Sequence, residues 1–358
     1  MASPSAAFPT SDSSAAPRPQ SAFIASAAYD RIFFIFAPLL ALGIAQALPL
    51  FPFAFEQARA LGGERMRIEF FIAVWTWSHL AAVFFRSHGN SEIFALHRFR
   101  FTVVPIVLFV SMLISTWVFV TCAVINALWD IYHTSMQNFG IGRIYDAKLG
   151  NDSKKGRGLD IWMNHIVYIG PLVSCLSPSG IIGAFRRFST VGWDEPGHWV
   201  TAVEAYQSDV RWVVIVCGSI FAAYYLFSYH KLVREGYRIS QQKIMLLVCT
   251  GTVSIYAYGF LPPIEALFVA NFFHGLQYFA IVWWTEKRNI HRLFGGSRFH
   301  LAQWAALAGF LGVVLLLGIG NEYARHLQIR WMVSLAVLCS ILHFWYDGFV
   351  WSVRKQQV

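Results

Sequence analysis

Charged side chains are scarce in this sequence. Asp, Glu, Lys and Arg make up 13% of its 358 residues, where a soluble domain carries roughly 25%. With 56% hydrophobic and 17% aromatic residues, the chain lacks the polar groups to cover itself in water, and lipid removes that need. Cysteine is also sparse. Cys122, Cys175, Cys217, Cys249 and Cys339 all fall inside apolar runs with no CxxC spacing, which excludes a disulfide framework and a zinc ribbon. Neither GxxxxGK[ST] nor a GxGxxG following a strand occurs, so there is no nucleotide signature. The net charge of +9 comes from Lys and Arg lying between apolar spans. Membrane topology accounts for that placement better than nucleic acid does. Residues 1–30, rich in Ser, Ala and Pro, read as a disordered tail, not as a signal peptide. Residues 31–358 read as a single transmembrane helical domain.

What the sequence does have is long apolar runs. A membrane-crossing helix needs about 20 mostly apolar residues. Candidate spans are 32–54, 68–85, 158–178, 211–229, 243–261, 264–285, 301–319 and 330–352. The stretch 101–145 is too long for one span at about 1.5 Å per residue. It divides into 101–118 and 121–142 at a turn near Ser115–Thr121, which brings the total to about ten. The division gathers Arg86, Arg98, Arg143, Lys154, Arg157, Lys231, Lys243, Lys287 and Arg354 on the cytoplasmic side. Leaving the stretch whole inverts every later loop. The expectation is an all-α polytopic membrane bundle, both termini cytoplasmic, in a bacterial-type inner membrane. Pro262–Pro263 marks one helix boundary.

Ionisable groups at membrane depth are costly and ask for a reason. The span at 121–142 carries Asn126, Asp130, His133 and Gln137 at steps of four, three and four, which keeps them on one helix face. The span at 264–285 carries Asn271, His274, Gln277 and Tyr278, and the last span carries His343 and Asp347. His79 lies seven residues before Arg86, His88 follows in the loop, and His165 opens the span at 158–178. Counted from the cytoplasmic edge, His79, His133, His274 and His343 all sit roughly 10–18 Å deep. Imidazoles in one layer suit Fe, Zn or Cu, with carboxylates as further ligands or as supports.

These residues predict a metal centre of one or two transition ions, iron first among them, ligated from His79, His88, His133, His165, His274, His343 and Asp347. Asp130, Gln137, Gln277 and Tyr278 are the candidate catalytic residues. The function expected is an oxygenase or oxidoreductase acting on a lipid-like or other hydrophobic small molecule, with an electron donor where the reaction needs one. Two other classes stand beside it: a proton-coupled transporter, since intramembrane His and Asp form proton relays, and a bis-His haem electron carrier. A transferase using loop residues His88, His97, Asp146 and Asp152 is a further alternative. The HxxxH and HxxHH boxes of membrane desaturases and hydroxylases are absent. The bacterial carotene-cleaving membrane dioxygenases also draw isolated histidines from several helices around one iron. That likeness is architectural, with no shared motif.

Overall fold

The structure is a computed structural model that describes residues 22–60, 63–175, 182–295 and 302–351. Its longer helices are α1 (Ala37–Ala47), α2 (Arg67–Ser87), α3 (Arg98–Ile114), α4 (Thr116–Lys148) and α5 (Arg157–Cys175). They continue with α6 (Gln207–Arg234), α7 (Gln241–Phe260), α8 (Pro263–Leu293), α9 (Gln303–Leu327) and α10 (Arg330–Val350). Short helices at Ala27–Asp30, Ser91–Leu96 and Glu195–Ala205 fill the connections. One antiparallel hairpin, Gln57–Ala60 against Gly63–Met66, joins α1 to α2; the sequence predicted no strand there. The rest is helical, as expected.

Six helices (α2, α6, α7, α8, α9 and α10) are long and apolar enough to cross a membrane. Two bent pairs raise that number to eight when each is taken as one span: Ala27–Ile35 with Ala37–Leu50, bent by 58°, and α3 with α4, bent by 120°. The second bend falls at Ser115, inside the predicted turn. Ser115 is extended, and its hydroxyl caps α4 by accepting from the Val118 N–H at 3.3 Å. Pro263 starts α8, where its missing N–H costs nothing. Ile220, Leu226 and Phe227 on α6 are 66–69% exposed, a surface suited to lipid.

The helix ends meet in a consistent way. At one end Tyr145, near the end of α4, donates to Asp30 at 3.0 Å. Arg86, at the end of α2, pairs with Glu286 of α8 and donates to the Val350 carbonyl at the end of α10. Lys243, at the start of α7, meets Asp146 of α4 at 2.7 Å and Asp160 of α5 at 3.3 Å. At the other end Arg330, opening α10, donates to the Met112 carbonyl of α3 at 2.7 Å. Arg211 of α6 donates to the Ser174 carbonyl of α5, also at 2.7 Å.

Two sequence expectations shift. The predicted tail lies outside the described residues up to residue 21, but residues 22–30 pack on the bundle. Asp30 is fully buried, its carboxylate held by the N–H groups of Ile24 and Ala25. Arg143 and Lys243, counted among the loop charges, are buried too. Each finds carboxylate partners in Asp146 and Asp160, and the Tyr229 and Tyr237 hydroxyls complete the cluster. Two cations facing two carboxylates cancel, which is what lets them leave water. Burial, followed by Asp146, raises the Tyr237 pKa above its ordinary value.

Candidate metal centre

Helix geometry puts His79 on α2, His133 on α4, His274 on α8 and His343 on α10, and all four side chains are buried. Their rings close a circle. Centroids are 4.8 Å apart for His79 and His274, 5.2 Å for His274 and His133, 4.8 Å for His133 and His343, and 5.1 Å for His343 and His79. Glycine permits the approach. A Cβ on Gly275 would fall 2.4 Å from Trp75 Nε1, and one on Gly318 would fall 2.5 Å from the Val74 carbonyl oxygen. α8 and α9 therefore press directly on α2, as small residues allow in membrane bundles.

Asp347, one turn after His343, closes a side of the circle. Its Oδ1 accepts from the Tyr278 hydroxyl at 2.8 Å and from Trp351 Nε1 at 2.9 Å, which leaves Oδ2 facing the imidazoles. Oδ2 lies 3.7 Å from Nε2 of both His133 and His343, and those two nitrogens are 3.1 Å apart. The centre of this triangle is about 2.0 Å from each corner, the length of a bond from a transition ion to nitrogen or oxygen. His343 Nδ1 is 3.2 Å from the Leu80 carbonyl oxygen. Donation there fixes the tautomer and leaves the Nε2 lone pair for an ion.

The ligand atoms of His79, His274 and His343 also lie within 4.8 Å of one another. Both ring nitrogens of His274 are buried without a hydrogen-bond partner among the described residues, and those of His79 have no well-formed one, only an approach to the Thr76 backbone. Each unmet group costs about 1–3 kcal/mol. One ion between two such imidazoles would meet the need of both.

The other predicted site residues divide. Gln137 Nε2 donates to the His274 carbonyl and to Gln277 Oε1, both at 3.0 Å, and Gln277 donates to the Phe34 carbonyl at 2.9 Å. The pair ties α4 to α8 beside the imidazoles. Asp130 stands apart, in electrostatic reach of Tyr168 and Tyr258. His165 Nδ1 is 2.6 Å from Ser135 Oγ, and its ring lies against Tyr132 and Trp162. His88 has Ser87 Oγ at 2.9 Å and the Phe101 carbonyl at 3.2 Å on its two nitrogens; burial lowers its pKa. The structure thus brings together His79, His133, His274, His343, Asp347 and Tyr278, and keeps His88, His165 and Asp130 out.

A cleft of about 820 Å³ opens on the circle, with His133, Tyr278 and Asp347 in its wall. Between α4 and α10 it is lined mainly by apolar side chains, among them Met136, Ile144, Ile281 and Phe344. Gly140 and Gly348 help to keep it open, since a Cβ on either would meet nothing within 4 Å. Sequence reasoning missed this cleft and missed Trp351. The spacing of Trp351 from Asp347, four residues on one helix face, was the available signal.

Compared with known family models, curated proteins and solved structures, the chain matches none of them.

Proposed function

We propose that the protein is an integral membrane metalloenzyme in which His79, His133, His274, His343 and Asp347 hold one transition ion beside an apolar cleft. The observation that carries this reading is the circle of four buried imidazoles with one carboxylate oxygen aimed into it. Both candidate triads, His79–His274–His343 and His133–His343–Asp347, use His343. With Nδ1 committed to Leu80, His343 offers a single lone pair, so the reading is one ion and not two. Imidazole and carboxylate ligands suit iron, and five of them leave a sixth octahedral position open to dioxygen.

Oxidation of a hydrophobic substrate follows from that ligand set and from the cleft. In hydroxylation a C–H bond becomes C–OH, the second oxygen atom leaves as water, and a donor supplies two electrons and two protons. In cleavage of a C=C bond both oxygen atoms enter the two new carbonyl groups and no donor is needed. Tyr278 and Trp351 orient Asp347 for either reaction, while Gln137 and Gln277 fix α4 against α8. A haem reading is disfavoured, because four imidazoles at these spacings leave no flat slot for a macrocycle.

The same reading takes ten crossings, the first made by Ala27–Ile35 together with α1 and the others by α2 to α10, with both chain ends cytoplasmic. Its support is the pairing of helix ends. The contacts between ends described above, Tyr145–Asp30, Arg86–Val350, Lys243–Asp146, Arg330–Met112 and Arg211–Ser174, each join two that alternating passage puts on one side.

Elemental analysis of detergent-purified protein tests the proposal. The expected result is one iron per chain, no Soret band, and loss of the metal in His133→Ala and His274→Ala while both variants stay folded. Protein without any transition metal, or variants that keep it, would overturn the site; a transporter using the His and Asp residues for protons then becomes the better reading.

A further inference from the structure

The two ends of the cleft differ in chemistry. One end holds His133, Tyr278 and Asp347; the other holds Ser153, Lys154 and Arg157, with Arg143 behind them. Arg143 is committed to Asp146, Asp160 and the carbonyls of Asp152, Ser153 and Lys155. Lys154 and Arg157 are exposed, and neither side chain has a carboxylate partner among the described residues. The Arg157 guanidinium sits 5.7 Å over the Phe139 ring, on the cleft wall. Asp347 is the only acidic side chain lining the cleft among the described residues, and it lies at the far end from these cations. From His133 to Arg143 is ten residues of α4, about 15 Å. The volume falls within the roughly 300–1,000 Å³ of small-molecule sites.

We infer that the substrate is an amphiphile with an anionic head, a carboxylate or a phosphate, seated between Lys154 and Arg157 with its apolar tail lying along the cleft. Resting on the proposed oxidation, this places the reacting carbon roughly 9–15 Å from the head, the span on α4 from His133 to Phe139 under Arg157 and on to Arg143, beside His133 and Asp347. Two cations at a membrane surface give about a tenfold or greater preference for the charged head.

Titration of the detergent-purified protein with fluorescent cis-parinaric acid and with its methyl ester reads that preference directly. The acid is expected to bind at least about tenfold tighter than the ester. The preference should vanish in the Lys154→Gln/Arg157→Gln double variant, persist in Lys154→Arg/Arg157→Lys, and leave metal content unchanged in both. Displacement by palmitate identifies a carboxylate head, and displacement by dioleoyl phosphatidylglycerol a phosphodiester. Equal binding of acid and ester, a preference that survives the double glutamine variant, or displacement by neither anion overturns the inference. Failure of the metal proposal reads out separately: His274→Ala would then be as active and as metal-free as the unaltered protein, while acid binding stayed as it was.

Discussion

Asp347 shows how one side chain is prepared for a task. Tyr278 and Trp351 hold one carboxylate oxygen, and that fixes the other against two imidazole nitrogens. Outer hydrogen bonds of this kind change metal affinity by about 10–100-fold when removed. Tyr278→Phe is therefore expected to weaken metal binding by that order, and Asp347→Asn by at least as much, measured by competition with a chelator. His88→Gln and His165→Gln are expected to leave affinity unaltered, because hydrogen bonds to Ser87, Phe101 and Ser135 occupy their rings outside the circle. A drop in affinity in either glutamine variant would mean that the ligand set is wrong.

At the scale of elements, the site exists because α2, α4, α8 and α10 bring their histidines to one level. Two devices hold that level. Glycines at 275 and 318 set the spacing of α8 and α9 from α2, and the buried Arg86–Glu286 pair pins the ends of α2 and α8. Glu286 also accepts from Asn90 at 3.1 Å. Breaking a buried pair by removing one partner costs about 3–5 kcal/mol, because the other charge stays buried. Glu286→Gln should thus lower the thermal midpoint in detergent more than the Arg86→Met/Glu286→Met double variant does. The reverse order would show that the pair is not the pin.

The common level of the four histidines was legible in the sequence because a helix converts residue number into height: seven residues from Arg86 to His79 and ten from Arg143 to His133. Height alone does not give azimuth. His88, in a loop, and His165, at the opening of a span, were candidates by residue type alone, and both turn toward other partners. The cleft was illegible for a related reason. It depends on what faces Gly140 and Gly348 across two helices far apart in sequence. Arg143, Asp146 and Lys243 read as loop residues in the sequence, since their neutralisation in one cluster with Asp160 appears only when α4, α5 and α7 meet.

At the scale of the whole molecule, the polar contacts described above between helix ends link residues that the proposed alternating passage would put on one face of the membrane. The proposed ten crossings would put Ser153 in the cytoplasm and Thr190 outside. In a background with the five native cysteines replaced, Thr190→Cys in right-side-out vesicles should react with a membrane-impermeant maleimide. Ser153→Cys should react only after permeabilisation. Labelling of both from one side would refute ten crossings and leave the imidazole circle untouched.

The circle itself faces its most direct test in X-ray absorption at the iron edge on detergent-purified protein. The expected result is a first shell of nitrogen and oxygen at about 2.1 Å, with the outer-shell scattering of imidazole rings, and loss of part of that scattering in His79→Ala. A sulfur shell, or an iron signal indifferent to His79, would contradict it.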